Sequence, residues 1–145
     1  RLGIMSINKI GIMPLKRIKA EGGDVLHGLK STELDYQGFG EVYFSLVEQN
    51  AIKAWKRHTK MTMNLVVPVG LVKFVFFDEN SKKFITHEIG EKNYVRISVP
   101  PYLWFGFQGL DSNPSLVTNI SNIPHDPEEV ERLLPSEIKY TWELL

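Results

Sequence analysis

The sequence predicts an all-β protein, a sandwich or barrel, with one short helix near its C-terminus. Two observations carry that reading. Between Gln49 and Ile120 about six or seven short runs rich in β-branched and aromatic residues are separated by turn residues. Only "HDPEEVERLL" (His125–Leu134) carries helix-start signals.

In chain order, the first 30 residues read ambiguously, and Gly22-Gly23 and Gly38/Gly40 mark turns. "EVYFSLV" (Glu41–Val47) is a strand by composition. "NLVVPVG" (Asn64–Gly70) is another, with Pro68 pointing to an edge, a bulge or a strand end. "LVKFVFFD" places Val72, Phe74 and Phe76 on one face and Lys73, Val75 and Phe77 on the other. "ENSKK" (Glu79–Lys83) is a turn, "KFITHEIG" (Lys83–Gly90) a strand. In "NYVRISV", Tyr94, Arg96 and Ser98 alternate with Val95, Ile97 and Val99. "LWFGFQGL" (Leu103–Leu110) and "SLVTNI" (Ser115–Ile120) complete the strands. In the helix segment, Asp126 is the N-cap, Pro127 takes the first helical position and Glu129 lies three residues after the cap. Val130, Leu133 and Leu134 give it an apolar stripe.

A chain of 145 residues with 43% hydrophobic content suits a single domain over 1–145 with one core. Lys plus Arg equals Asp plus Glu at 17 each, which argues against a general nucleic-acid binder. The chain has no cysteine, so disulfides and thiolate metal sites are excluded and a reducing compartment fits. No apolar run approaches the roughly 20 residues of a membrane span. The stretch "RLGIMSINKIGIMPLKRI" lacks a signal-peptide core. A cytoplasmic protein without membrane partners is the expectation.

The stretch "AIKAWKRHTKMTMNLVVPVG" packs Lys53, Lys56, Arg57, His58 and Lys60 into eight residues. Read as a strand, it puts Ile52, Ala54, Lys56, His58 and Lys60 on one face and Lys53, Trp55, Arg57 and Thr59 on the other. Two readings stand. One is a solvated edge whose lysines discourage edge pairing. The other is an anion site in which neighbouring ammonium groups keep His58 neutral, as a base near neutral pH.

The other histidines, His27, His87 and His125, stand apart, with no H-x-H or H-E-x-x-H pair and no carboxylate in the basic cluster. The expectation is therefore no metal. No phosphate-binding glycine loop, dinucleotide fingerprint or G-x-S-x-G elbow occurs. "VPPYLWFGF" gathers Tyr102, Trp104, Phe105 and Phe107 after Pro100-Pro101. Part of that cluster belongs to the core, and the rest suits stacking on a base or sugar.

These residues, in this order, resemble the RmlC-like cupin family of dTDP-4-dehydrorhamnose 3,5-epimerases and related sugar-nucleotide isomerases. "AIKAWKRH" is similar to the family's "GVLRGLH" strand, with His58 in the histidine's place. "NLVVPVGLVKFVFFDEN" follows the rhythm of "KLVxVxxGxVxDVxVDLR", aligning Gly70 and Asp78, and "VPPYLWFGF" resembles "IPxGFAHGF". The resemblance covers Glu41 to Trp142 and includes the late "PEE" turn.

It implies a cupin-type double-stranded β-helix, a jelly-roll barrel, paired as a homodimer and holding a dTDP-keto-sugar without metal or other cofactor. A histidine removes the proton beside the keto group and a tyrosine on a later strand returns one. This chain departs from the pattern. Asn64 stands where the family has a lysine, Phe105 where it has a histidine, and the tyrosine position falls near Val117. Tyr102 is the nearest replacement, ahead of Tyr94 and Tyr140, and Glu143 is the candidate to orient His58.

The catalytic candidates are thus His58 and Tyr102. The substrate-binding candidates are Lys56, Arg57, Lys60, Asn64 and Trp104. The expected function is epimerisation or keto-isomerisation of a nucleoside-diphosphate keto-deoxysugar. The alternative is a noncatalytic nucleotide-sugar-binding protein.

Overall fold

The computed structural model describes residues 6–145. The start of the N-terminal stretch read for a targeting segment, residues 1–5, lies outside them. In order, the strands are β1 (Gly11–Pro14), β2 (Arg17–Ile18), β3 (Val25–Leu26), β4 (Glu41–Val47), β5 (Ile52–His58) and β6 (Met63–Val69). They continue as β7 (Leu71–Asp78), β8 (Lys83–Gly90), β9 (Val95–Val99), β10 (Trp104–Gly109), β11 (Ser115–Ser121) and β12 (Val130–Arg132).

Two five-stranded sheets have the orders β1-β9-β6-β11-β4 and β12-β5-β10-β7-β8, and β2 pairs β3 separately. All named strand pairs are antiparallel. The two large sheets pack face to face through one apolar cluster. Leu65 and Val67 of β6, Ile97 and Val99 of β9 and Val117 of β11 meet Val72, Phe74 and Phe76 of β7 and Phe105 of β10. The alternation in β7 and β9 produces this interface, because every second side chain points to the same side.

Two expectations about the architecture are corrected. The closed jelly-roll barrel does not form: β4 and β12 each end a sheet and do not pair with one another. The C-terminal helix does not form either, and among the described residues there is no α-helix. Asp126 does cap, its side chain accepting from the Glu128 amide at 3.0 Å, but the turn is a single 3-10 turn, Pro127–Glu129. Val130 is already extended, and β12 pairs with the free edge of β5. The physical reason is competition. A helix confined between Pro127 and Pro135 is too short to be stable alone. The open edge of β5 offers backbone partners that satisfy the same groups.

Two local irregularities position the site. In β6, Leu116 faces Val69 while Thr118 faces Val66, so Pro68 sits in a bulge that needs no ladder hydrogen bond from it. In β5, Phe105 pairs with Lys56 but Gly106 pairs with Ala54. That bulge breaks the period of two read from the sequence. Lys53, paired with Phe107, therefore joins Lys56 and His58 on the inner side, and Trp55 turns outward.

Candidate active site

A cavity of about 400 Å³ lies between the two sheets. One wall carries Tyr43 and Ser45 of β4, Met63 and Leu65 of β6, and Val117 and Asn119 of β11. The facing wall carries Lys53 and Lys56 of β5, Phe105 and Phe107 of β10, and Arg132 of β12. The unpaired ends of the sheets, β4 and β12, leave it open.

His58 follows Lys53 and Lys56 on the inner side of β5, outside the cavity's own lining, and packs against Phe105, which lines it. His58 is 4% exposed, and its ring stacks on Phe105 with centroids 5.9 Å apart and an interplanar angle of 17°. Its Nδ1 lies 2.5 Å from Oε2 of Glu129, which is 1% exposed. The second oxygen of Glu129 accepts the backbone N–H groups of Lys60 and Met61, each at 2.9 Å. The 3-10 turn and β12 hold Glu129 there.

Burial would raise the Glu129 carboxyl. The hydrogen bonds from His58 and from the two amides outweigh it and hold the group below its ordinary range. An ionised carboxylate at Nδ1 can only accept, so the imidazole proton sits on Nδ1. Nε2 is then the free base, and it is buried with no hydrogen-bond partner.

Burial is the main cause that lowers the His58 pKa below 6.5, and the charges of Lys56 and Arg132 act in the same direction against Glu129. The ring therefore stays neutral at neutral pH. The unfolded chain takes up the proton near the ordinary value of 6.5, before the folded chain does. This histidine therefore costs stability as pH falls below 6.5. Lys56 is lowered by burial first, then by Arg132, with a further contribution from Lys53. A cavity with three clustered cations favours an anionic guest.

The structure brings His58 and Lys56 together and disperses the other candidates. Lys60 is solvent-exposed, just past the end of β5. Arg57 faces the outer side, bonded to Glu79 and Glu131 and lying over the Trp104 ring at 4.6 Å. Trp104 joins Trp55, Val75 and Ile138 in an outer apolar cluster instead of walling the cavity. Asn64 accepts from Arg96 at 2.6 Å and donates to the Ile120 carbonyl, on the outer side of its sheet. Tyr102 sits in a turn, 58% exposed with φ at +70°.

Tyr94 donates to the His27 carbonyl, and Tyr140 packs among Trp55, Phe84 and Trp142. Glu143 lies on the C-terminal tail, its carbonyl accepting from Gln108.

Sequence reasoning missed Glu129 and Tyr43. Glu129 read as a helix-capping residue, and only the "PEE" turn of the resemblance hinted at a further role. Tyr43 was hidden by the pattern of β4. Val42, Phe44 and Leu46 form the more apolar face of that strand, whose composition alone did not mark an inner side. They are the exposed side, and Tyr43, Ser45 and Val47 point inward. Asn119 of β11 donates to Tyr43 Oη at 2.9 Å. Burial raises the Tyr43 hydroxyl pKa, with Glu41 and Glu129 adding to the rise and Asn119 opposing it.

No protein-family model and no curated protein matches the chain. A solved dTDP sugar isomerase from Desulfovibrio desulfuricans G20 is 35% identical, covers 96% of this chain and 94% of its own, and superposes with a TM-score of 0.89. The chain belongs to the RmlC-like dTDP-sugar epimerase and isomerase family. Other RmlC-like proteins share the fold at lower identity. A dTDP-4-dehydrorhamnose 3,5-epimerase from Bacillus anthracis str. Ames is 13% identical over 100% of this chain and 91% of its own, with a TM-score of 0.82. A sugar 3,4-ketoisomerase from Thermoanaerobacterium thermosaccharolyticum is 15% identical over 89% of this chain and 91% of its own, with a TM-score of 0.72. Among the described residues no group of histidines and carboxylates is arranged to hold a metal ion. None of the described helices is long and apolar enough to cross a membrane.

Proposed function

We propose that this RmlC-like protein epimerises or keto-isomerises a nucleoside-diphosphate keto-deoxysugar by removing the proton alpha to the carbonyl. One observation carries the reading: a buried, neutral imidazole is locked by Glu129 with its basic Nε2 unpartnered. The Bacillus anthracis epimerase and the Thermoanaerobacterium ketoisomerase were each solved with TDP bound, which supports a thymidine nucleotide as the carrier here.

In the proposed reaction Nε2 of His58 takes the proton. The C–H electron pair moves into the carbonyl, giving an enolate, and the imidazole becomes imidazolium beside the Glu129 carboxylate. Lys53, Lys56 and Arg132 supply positive charge for the enolate oxygen and the diphosphate. The Tyr43 hydroxyl returns a proton to carbon and is left as phenolate, which the imidazolium and solvent reset. Return to the carbon that lost its proton gives the epimer; return to the former carbonyl carbon gives the shifted ketone, with the neighbouring hydroxyl passing its proton to the enolate oxygen as it becomes the new carbonyl. The test is solvent exchange: in deuterated water, dTDP-4-keto-6-deoxyglucose should gain deuterium next to its carbonyl only when the protein is present. Absence of enzyme-dependent exchange from this and other keto-deoxysugar nucleotides would refute the reading.

The titrating groups set the pH dependence. The base works unprotonated and its pKa lies below 6.5, so kcat/KM should hold down to pH 6.5 and fall only below it. The acid works protonated and is raised above 10.0, so loss of the Tyr43 proton should not limit the rate below pH 10.0, and Lys56, lowered from 10.5, adds its own alkaline limb. A rate profile with an acid limb centred above pH 6.5 would contradict the assignment of His58.

A homodimer belongs to the same proposal. Phe44 and Leu46 of β4 are 62% and 66% exposed, and Val69 of β6 lies on the same outer face across Leu116. A contiguous apolar sheet face of this kind suits a protein interface. Sedimentation should find a dimer, and the Phe44→Glu/Leu46→Glu double variant should be monomeric. A monomeric parent would refute it. A cytoplasmic setting completes the proposal, supported by the cysteine-free sequence.

A further inference from the structure

We infer that Asn119 is a positioning residue, which sets the Tyr43 hydroxyl as a hydrogen-bond donor to the molecule in the cavity. The inference rests on the reading of Tyr43 as the proton donor. Asn119 itself touches no reacting atom in this scheme.

A backbone amide fixes the orientation of the Asn119 side chain. Asn119 is buried on β11, directly across from Tyr43 on β4. Its Oδ1 lies 3.2 Å from the backbone N–H of Asn64. A backbone N–H can only donate, so the side-chain oxygen must take that position and the NH₂ group must take the other. The NH₂ group then meets two acceptors, Tyr43 Oη at 2.9 Å and Met61 Sδ at 3.6 Å. Both amide protons are used and the carboxamide has no freedom to flip.

The consequence falls on Tyr43. Its oxygen accepts from Asn119, so its own proton points away from Asn119. Tyr43 and Asn119 both line the cavity, which is where that proton can find an acceptor. The same N–H donation favours the phenolate left after proton transfer and opposes the burial that disfavours it. Hydrogen-bond polarity thus runs in one direction, from the Asn119 amide through the Tyr43 hydroxyl to the guest.

Asn119→Asp reverses that direction with nearly the same shape. One carboxylate oxygen still accepts the Asn64 amide, while the other draws the Tyr43 proton towards itself. Turnover of dTDP-4-keto-6-deoxyglucose should fall at neutral pH by at least about 10-fold, as part of the loss expected on removing a general acid. Burial raises an aspartic acid in such a place. As pH falls and that carboxyl gains a proton, it donates to Tyr43 as the amide did, and turnover relative to the parent at the same pH should recover. A purely structural role for Asn119 predicts no such acid rescue.

A substrate-free measurement runs beside it. Tyr43 ionisation is read by ultraviolet difference titration of each protein against its Tyr43→Phe counterpart. It should move to higher pH in Asn119→Asp and in Asn119→Ala, and the alanine variant serves if the aspartate does not fold. An unmoved Tyr43 titration, or a turnover loss that does not recover in acid, would overturn the inference. If Tyr43→Phe turns over normally, the proton-donor reading of Tyr43 falls instead, and the titration still decides whether Asn119 orients the hydroxyl.

Discussion

His58→Asn is expected to abolish deuterium exchange into a keto-deoxysugar nucleotide, with turnover falling by roughly 10³, within the range for loss of a general base. Asparagine places an amide near the imidazole Nδ1 and can still donate to Glu129, so the buried carboxylate keeps a partner. It has no group that can accept a proton at the position of Nε2. The fold should therefore persist, with a cooperative thermal transition close to the parent's, while exchange measured by NMR disappears. Exchange at the parental rate in this variant would mean that another group is the base, and the functional proposal would lose its central residue.

Glu129 is the second test, and its two variants separate orientation from stability. Glu129→Gln keeps an oxygen for the amides of Lys60 and Met61. Its NH₂ group, however, faces Nδ1 of His58. Two donors cannot share a hydrogen bond, so the ring must present Nδ1 as acceptor and move its proton to Nε2. The base is then in the wrong tautomer, and turnover should fall by roughly 10³ to 10⁴ with little change in melting temperature.

Glu129→Ala removes the acceptor altogether. It leaves two backbone amides and an imidazole unpaired in a site closed to water. The expected cost is at least about 3 kcal/mol, since each of these buried donors left unpaired costs roughly 1–3 kcal/mol, read by denaturant unfolding. Because the Glu129 pKa is lowered from 4.5, its stabilising contribution is present above that pH and disappears as pH falls through the lowered value. The alanine variant should accordingly lose the corresponding part of the parent's acid sensitivity. A glutamine variant with parental activity would show that Glu129 does not choose the tautomer.

Much of the fold was legible because strands with one buried face write their environment into the chain at a period of two. Val72, Phe74 and Phe76, or Ile97 and Val99, announce the core without help from any distant residue. The same rule left β4 without an assigned inner face. Its more apolar face, Val42, Phe44 and Leu46, points outward, and alternation reports that two faces differ without saying which one is inside. The helix at His125–Leu134 failed for a related reason. Its capping signals are real, since Asp126 does cap, but a cap fixes only the first turn. The path of the chain from Val130 onward was set by an unpaired strand edge that no local window contains.

By itself the sequence determined an all-β chain, the alternating runs that fill the space between its sheets, and a histidine set among cations. Tertiary structure alone decided that Glu129, 71 residues further on, turns that histidine into an oriented base. It also decided that a bulge at Ala54 and Trp55 brings Lys53 inward, and that Asn119 meets Tyr43 from 76 residues away. The physical reason is the range of the interactions. Alternation is a property of neighbours along the chain, whereas a hydrogen bond across a sheet or between sheets depends on register and closure, which exist only once the strands have paired.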